Sequence, residues 1–342
     1  MAKNSKKALS KSTPDGEQGE ASASRYGARA DAMRWAEDVA TRRDLDPEWT
    51  RRAIAQARRL RDVPRLVLPP ARATAKNWAA YRSRFVEPVR LRAGQRFWSQ
   101  HAQALERAEE EFGVPAEVIV GIIGVETIYG QQMGNYRVID ALATLAFDFP
   151  AAHPRAAERQ AFFASELEQF LSLHHRAGSD PLAPRGSFAG PVGMPQFMPS
   201  RWPRYPSDFD GDGRVDLFDS PVDAIGSVAN YLRAHQWKPG MPTHYPARFD
   251  AARLDLPTLL APDILPTFSA DALEAKGVIL GDDARRHEGP LALVELFNGD
   301  AEPSYVIGTE NFYAVTRYNW SSYYALAVIE LGRAVAQARE RR

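Results

Sequence analysis

A mainly helical α+β fold follows from three features of the sequence. Apolar residues recur at three- and four-residue spacing through much of the chain before residue 238 and again near its end. Prolines and glycines become frequent between residues 239 and 311. Two short runs with strand character, 291–297 and 305–307, fall inside that stretch, so a small domain with some β structure is expected over residues 241–311. At 342 residues the chain can bury a substantial core and is long enough for two or three domains.

Composition narrows the chemistry. Acidic and basic residues balance at 43 each, so no whole-molecule field draws the protein to nucleic acid or to an anionic membrane. The absence of cysteine removes disulfides, thiol catalysis, thiolate metal sites and a lipid-anchored N-terminal cysteine, and leaves the compartment open. No apolar run approaches the roughly 20 residues of a membrane-spanning helix. The N-terminal lysines have no apolar segment behind them, so no secretory signal is visible.

Residues 1–25 hold four lysines, several serines and little to bury, and are expected to form a disordered tail. Residues 26–112 read as a helical domain with an arginine-rich background and a break at Pro69 and Pro70. No chemistry is assigned there. Gly113, Val114 and Pro115 make a turn, with Pro115 suited to the first turn of the helix that follows. In that helix Ile119, Ile122 and Ile123 lie on one apolar stripe, and Glu126 falls on the same stripe, three residues past Ile123 and four past Ile122. A carboxyl placed there takes up a proton or finds a partner, and one kept neutral near pH 7 is a general acid. The alternative is a glutamate at a frayed helix end near Gly130, facing water or an arginine. Helical segments at 139–147 and 158–173 follow.

Two loops come next. Residues 186–200, GSFAGPVGMPQFMPS, combine three prolines and three glycines with Ser187, Phe188, Met194, Gln196 and Phe197. Aromatic, amide and hydroxyl groups on one loop suit carbohydrate recognition, and an ordinary loop packed on the core has the same composition. Residues 208–219, DFDGDGRVDLFD, place carboxylates at positions one, three, five, nine and twelve and glycine at six. This is the EF-hand spacing for a hard cation, with Arg214 offering its backbone carbonyl at position seven. Asp219 stands where a glutamate usually closes the site, and Asp223 is an alternative closing ligand. A solvated acidic loop is the competing reading, but five carboxylates in twelve residues repel one another without a counter-ion. A helix over 223–237 carries Tyr231 and Trp237, which suit a cleft or the core equally. The last helix begins near Ser321, with Tyr318, Asn319 and Tyr324 clustered at its entry. An amide beside aromatics fits a sugar cleft, and a helix cap fits too.

Five segments taken together resemble the lytic murein transglycosylases of the B type, glycoside hydrolase family 103. They are VIVGIIGVETIYGQQMG, DALATLAFDFP, GSFAGPVGMPQFMPS, the aspartate loop running into DAIGSVANYLRAHQW, and RYNWSSYYALAVIELG, which occur in family order from about residue 30 to the C-terminus. The resemblance implies a lysozyme-like helical core, here 113–240 with a return over 312–342, flanked by the helical domain and the small β-containing domain. It implies a monomer in the periplasm or cell envelope acting on peptidoglycan glycan strands, with structural Ca2+ and no organic cofactor. By motif position, Glu126 is the sole catalytic acid and base, and the glycan contacts are Ser187, Met194, Gln196, Tyr231, Tyr318, Asn319 and Tyr324. The cation ligands are Asp208, Asp210, Asp212 and the Arg214 carbonyl, closed by Asp219 or Asp223. The chain departs from the family in carrying Ala151 and Ala152 where paired arginines are expected, and Ser220 lengthens the path from the loop to Asp223 by one residue. A muramidase that uses water and a non-catalytic wall- or calcium-binding module are the rival functions.

Overall fold

The computed structural model describes residues 25–69 and 76–341. Most of the tail expected over residues 1–25, and Pro70 of the expected break, lie outside them. The described residues divide into two compact units, one made of 25–68 with 139–183 and the other of the remainder. This differs from the expected boundaries in two places, and the contacts give the reason. Segment 139–183 belongs with the N-terminal helices, because Asp140 accepts the Arg58 N–H at 2.9 Å and Asp148 accepts the Tyr26 hydroxyl at 2.6 Å and, on both its oxygens, Arg29 Nη1 at 2.8 Å. Segment 76–112 belongs with the core, since Phe97, Leu105 and Phe112 join the same apolar cluster as Ile119 and Ile122.

The first unit contains the helices Ala30–Arg43, Pro47–Gln56 and Ala156–Arg176 and nearly all of Val138–Phe147. Asp46 caps the second of these by accepting the Trp49 N–H, with Pro47 at the start where its missing donor costs nothing. Glu168 on the long helix receives Arg42 and Arg43 from the first helix.

The second unit is organised on the helix Ala116–Thr127. Its sequence gives one apolar stripe, but every residue from Val118 to Val125 is buried, so the helix is apolar all round and lies inside the core. Pro115 is the residue before the first turn and not part of it; Ala116 N–H is taken by Glu109 Oε2 at 3.0 Å. The C-terminal helix Ser322–Glu340 packs on it backbone to backbone. A Cβ at Gly121 would run into the Val328 carbonyl, and one at Gly332 into the Glu117 carbonyl, so only glycine permits this approach. Pro88–Gln100, Ala102–Phe112, Pro221–Ala234 and Glu310–Asn319 are the other long helices of this unit, and Trp78–Arg82 is a shorter one.

The strands expected within 241–311 appear as Ala292–Asn298 and Ala301–Gly308, antiparallel with Leu293 opposite Ile307. His244–Pro246 adds a third strand to the second of them, and Arg248–Phe249 pairs with Val278–Ile279. Runs of two or three residues beside prolines carry too little alternation to be read beforehand. This region has its own apolar cluster of Leu259, Leu273, Val278, Leu280, Leu291, Leu293 and Ile307. Among the described residues no helix is long and apolar enough to cross a membrane.

Candidate active site

Glu126 occupies the last turn of the buried helix. The helix stops at Thr127, because Ile128 and Tyr129 take left-handed conformations at φ 50° and 58° before Gly130 continues the turn at 86°. Two L-residues in that region are costly, on the order of 1–2 kcal/mol each. They are held in place by Thr127, whose hydroxyl donates to the Met194 carbonyl at 2.9 Å and accepts the Gly130 N–H at 3.0 Å. The catalytic candidate is thereby fixed against the 186–200 loop.

Glu126 itself is half-buried, amid fully buried neighbours. Its Oε1 accepts the Tyr324 hydroxyl at 2.6 Å. Burial pushes the carboxyl up to about 7, against the opposing pull of the Tyr324 hydrogen bond and the charge of Arg201. No acidic neighbour is among the groups that set this value. Tyr324 is positioned by Ser321, the capping residue of the C-terminal helix, whose Oγ accepts the Tyr324 N–H at 3.2 Å. The frayed, water-facing glutamate considered from sequence is therefore not what the fold builds.

The other expected residues separate into two groups. Ser187 and Gln196 are half-buried on the loop, and Asn319 is exposed at the last residue of its helix. Gln196 sits at φ 50° and spends its amide N–H groups on the Gly193 and Met133 carbonyls, at 2.9 and 3.2 Å, leaving its side-chain oxygen for a ligand. Met194, Tyr231 and Tyr318 are buried, at 6%, 1% and 5% exposure. The Tyr231 hydroxyl donates to the Arg317 carbonyl at 2.7 Å and the Tyr318 hydroxyl to the Pro195 carbonyl at 2.5 Å. These three enclosed side chains form the wall behind the site. Tyr318 stacks on Tyr324, with ring centroids 6.0 Å apart and planes 14° from parallel. Arg201, which carries no motif signal in the sequence, lies among these rings.

The aspartate loop bends at Gly211 and Gly213, both at positive φ. Asp208, Asp210 and Asp212 are exposed, and each can offer an oxygen within 4.8 Å of the others. Backbone N–H groups shape the loop: Gly211 and Gly213 donate to Asp208 at 2.8 and 2.9 Å. Asp223, fully buried, accepts the N–H groups of Phe209, Asp210 and Asp216 at 2.7, 3.1 and 2.8 Å and so braces the loop from beneath. Asp219 is exposed, and the Arg214 guanidinium pairs with Asp212 at 3.0 Å. Three converging hard oxygens on a glycine-kinked turn fit a hard divalent cation.

The family described as the transglycosylase SLT domain matches residues 28–333. The chain belongs to that family. It is 40% identical over 318 residues to the membrane-bound lytic murein transglycosylase B of Escherichia coli (strain K12), which spans 90% of this chain and 83% of that relative. The E. coli lytic transglycosylase Slt35, solved in complex with bulgecin A and in complex with calcium, aligns each time with a TM-score of 0.79 and 39% identity over 92% of this chain and 95% of the solved one. SltB3 from Pseudomonas aeruginosa, solved in complex with NAG-anhNAM-pentapeptide, aligns with a TM-score of 0.71 and 28% identity over 89% of this chain and 79% of its own. The helix-rich, lysozyme-like architecture expected from sequence is that of the family.

Proposed function

We propose that this chain is a lytic transglycosylase that cleaves the β-1,4 bond between N-acetylmuramic acid and N-acetylglucosamine in peptidoglycan, with Glu126 as its single acid and base. The observation that carries the reading is one carboxyl, raised by burial to about 7 and held by one tyrosine hydroxyl, at the end of a rigid buried helix. An ordinary glycosidase uses two carboxyls, about 5 to 5.5 Å apart for retention and further apart for inversion. A lone carboxyl near half-protonation supplies both forms in turn. As the acid it donates to the glycosidic oxygen while the muramyl acetamide assists at the anomeric carbon. As the carboxylate it takes the proton of the C6 hydroxyl, whose oxygen forms the new bond to the anomeric carbon and closes a 1,6-anhydro ring. Holding that hydroxyl in place makes the attack intramolecular, worth up to about 7–11 kcal/mol in well-oriented cases. Ser187, Gln196 and Asn319 hold the sugars by hydrogen bonds, and Tyr324 orients the acid.

Asp208, Asp210 and Asp212 would hold calcium, completed by the Arg214 carbonyl and a carboxylate from Asp219 or Asp223. Asp223 Oδ1 accepts two backbone N–H groups and Oδ2 one, so Oδ2 retains a lone pair. The ion would stiffen the loop and takes no part in bond cleavage. Periplasmic or envelope placement goes with a peptidoglycan substrate. The test is E126Q: turnover on purified sacculi is expected to fall by about 10³-fold or more while folding and glycan binding persist. Appreciable residual turnover would remove Glu126 from this role.

A further inference from the structure

We propose that Arg201 is a positioning residue for the reaction: its guanidinium, seated over two adjoining tyrosine rings, locks the aromatic wall behind Glu126 and places a fixed positive charge at that wall. The proposal rests on the reading of Glu126 as the acid and base. Arg201 ends the short helical turn Pro199–Arg201 that follows the loop carrying Gln196. It is half-buried, and among the described residues no carboxylate pairs with it. Its guanidinium carbon lies 5.0 Å from the Tyr231 ring centroid and 5.3 Å from that of Tyr318, and its Nη2 donates to the Tyr318 carbonyl at 3.0 Å. Tyr318 stacks on Tyr324, and Tyr324 donates to Glu126. Aromatic faces hold a cation without neutralising it, so the charge stays available to the acid.

Four groups face Glu126 or act on it. Tyr324 comes from the C-terminal helix, Tyr318 from Glu310–Asn319, Tyr81 from the helix Trp78–Arg82, and Arg201 from the loop. On Pro88–Gln100, which also packs on the helix carrying Glu126, Arg90 is spent on the Gly124 and Arg84 carbonyls, at 3.2 and 2.8 Å. Arg201 is the cation among those that shift Glu126, and it opposes the effect of burial by favouring the carboxylate. Removing the charge therefore leaves Glu126 protonated to higher pH.

The experiment is the pH profile of kcat on purified sacculi for the wild type, R201K and the neutral variants R201Q and R201M, each checked by thermal melting. R201Q and R201M are expected to move the alkaline limb up by about half a pH unit or more, and R201K to keep it at the wild-type position. R201M retains the aliphatic stem against the rings and serves where R201Q melts too low. A folded neutral variant with an unmoved limb overturns the proposal, and so does R201K moving with the neutral pair. E126Q run alongside separates the two claims: turnover in E126Q sinks the proposed function itself, whereas an inactive E126Q with an unmoved limb in R201Q sinks the inference about Arg201 alone.

Discussion

Glu126 and Asp223 are both acids enclosed in the same unit, and the fold treats them in opposite ways. Asp223 receives three backbone N–H groups and ties Phe209, Asp210 and Asp216 to the helix Pro221–Ala234. Glu126 receives one hydroxyl, that of Tyr324, and among the described residues no backbone N–H. A carboxylate saturated with fixed donors is a structural brace, and one left nearly unserved is kept ready to gain or lose a proton. Asp208, Asp210 and Asp212 form a third class, solvated and gathered at a turn, where the cheapest neutraliser is an ion.

Mutations break this comparison at either end. D223A removes the acceptor of three N–H groups, that of Phe209 buried and those of Asp210 and Asp216 part-buried, and a loss of about 3 kcal/mol in chemical unfolding is expected; a loss under about 1 kcal/mol would show that water or another group serves them. E126Q has the reverse sign. The folded carboxyl titrates at about 7 against 4.5 for the free side chain, so in the wild type the cost of ionising the buried group sets in above pH 4.5 and is complete above pH 7. E126Q escapes it, and at pH 8 should be more stable than wild type by about 1–3 kcal/mol, with no gain below pH 4.5. A stability difference that does not change with pH would mean the carboxyl is better solvated than its surroundings indicate. The smallest effect belongs to the aspartate turn: calcium should raise the melting temperature by a few degrees, about what 1 kcal/mol of linkage gives in a unit of this size. A chelator that leaves the melting point unchanged would return these residues to the solvated-loop reading.

Much of this was legible from the chain. The helix bearing Glu126, the helices of the core and the two long strands show the periodicities that burial on one or both faces requires. The all-round burial of Ala116–Thr127 was not, because a stripe reports only where the pattern is interrupted, and this helix is interrupted chiefly by its glutamate. The glycines that permit backbone contact with Ser322–Glu340 look in sequence like ordinary small residues. The regrouping of 139–183 with the N-terminal helices depends on Arg29, Arg58, Asp140 and Asp148 meeting across more than eighty residues, which no local pattern encodes. The same limit applies at the site. Tyr324 and Glu126 are 198 residues apart and 2.6 Å from each other. Arg201 is one of many arginines until Tyr231 and Tyr318 are folded around it.

Mass spectrometry of the fragments released from peptidoglycan by the wild-type protein tests the lone-acid account most directly. A carboxyl that activates the sugar's own hydroxyl predicts muramyl ends lighter by one water, closed as 1,6-anhydro rings. Fragments ending in free reducing muramic acid would show that water is the nucleophile and would contradict the account.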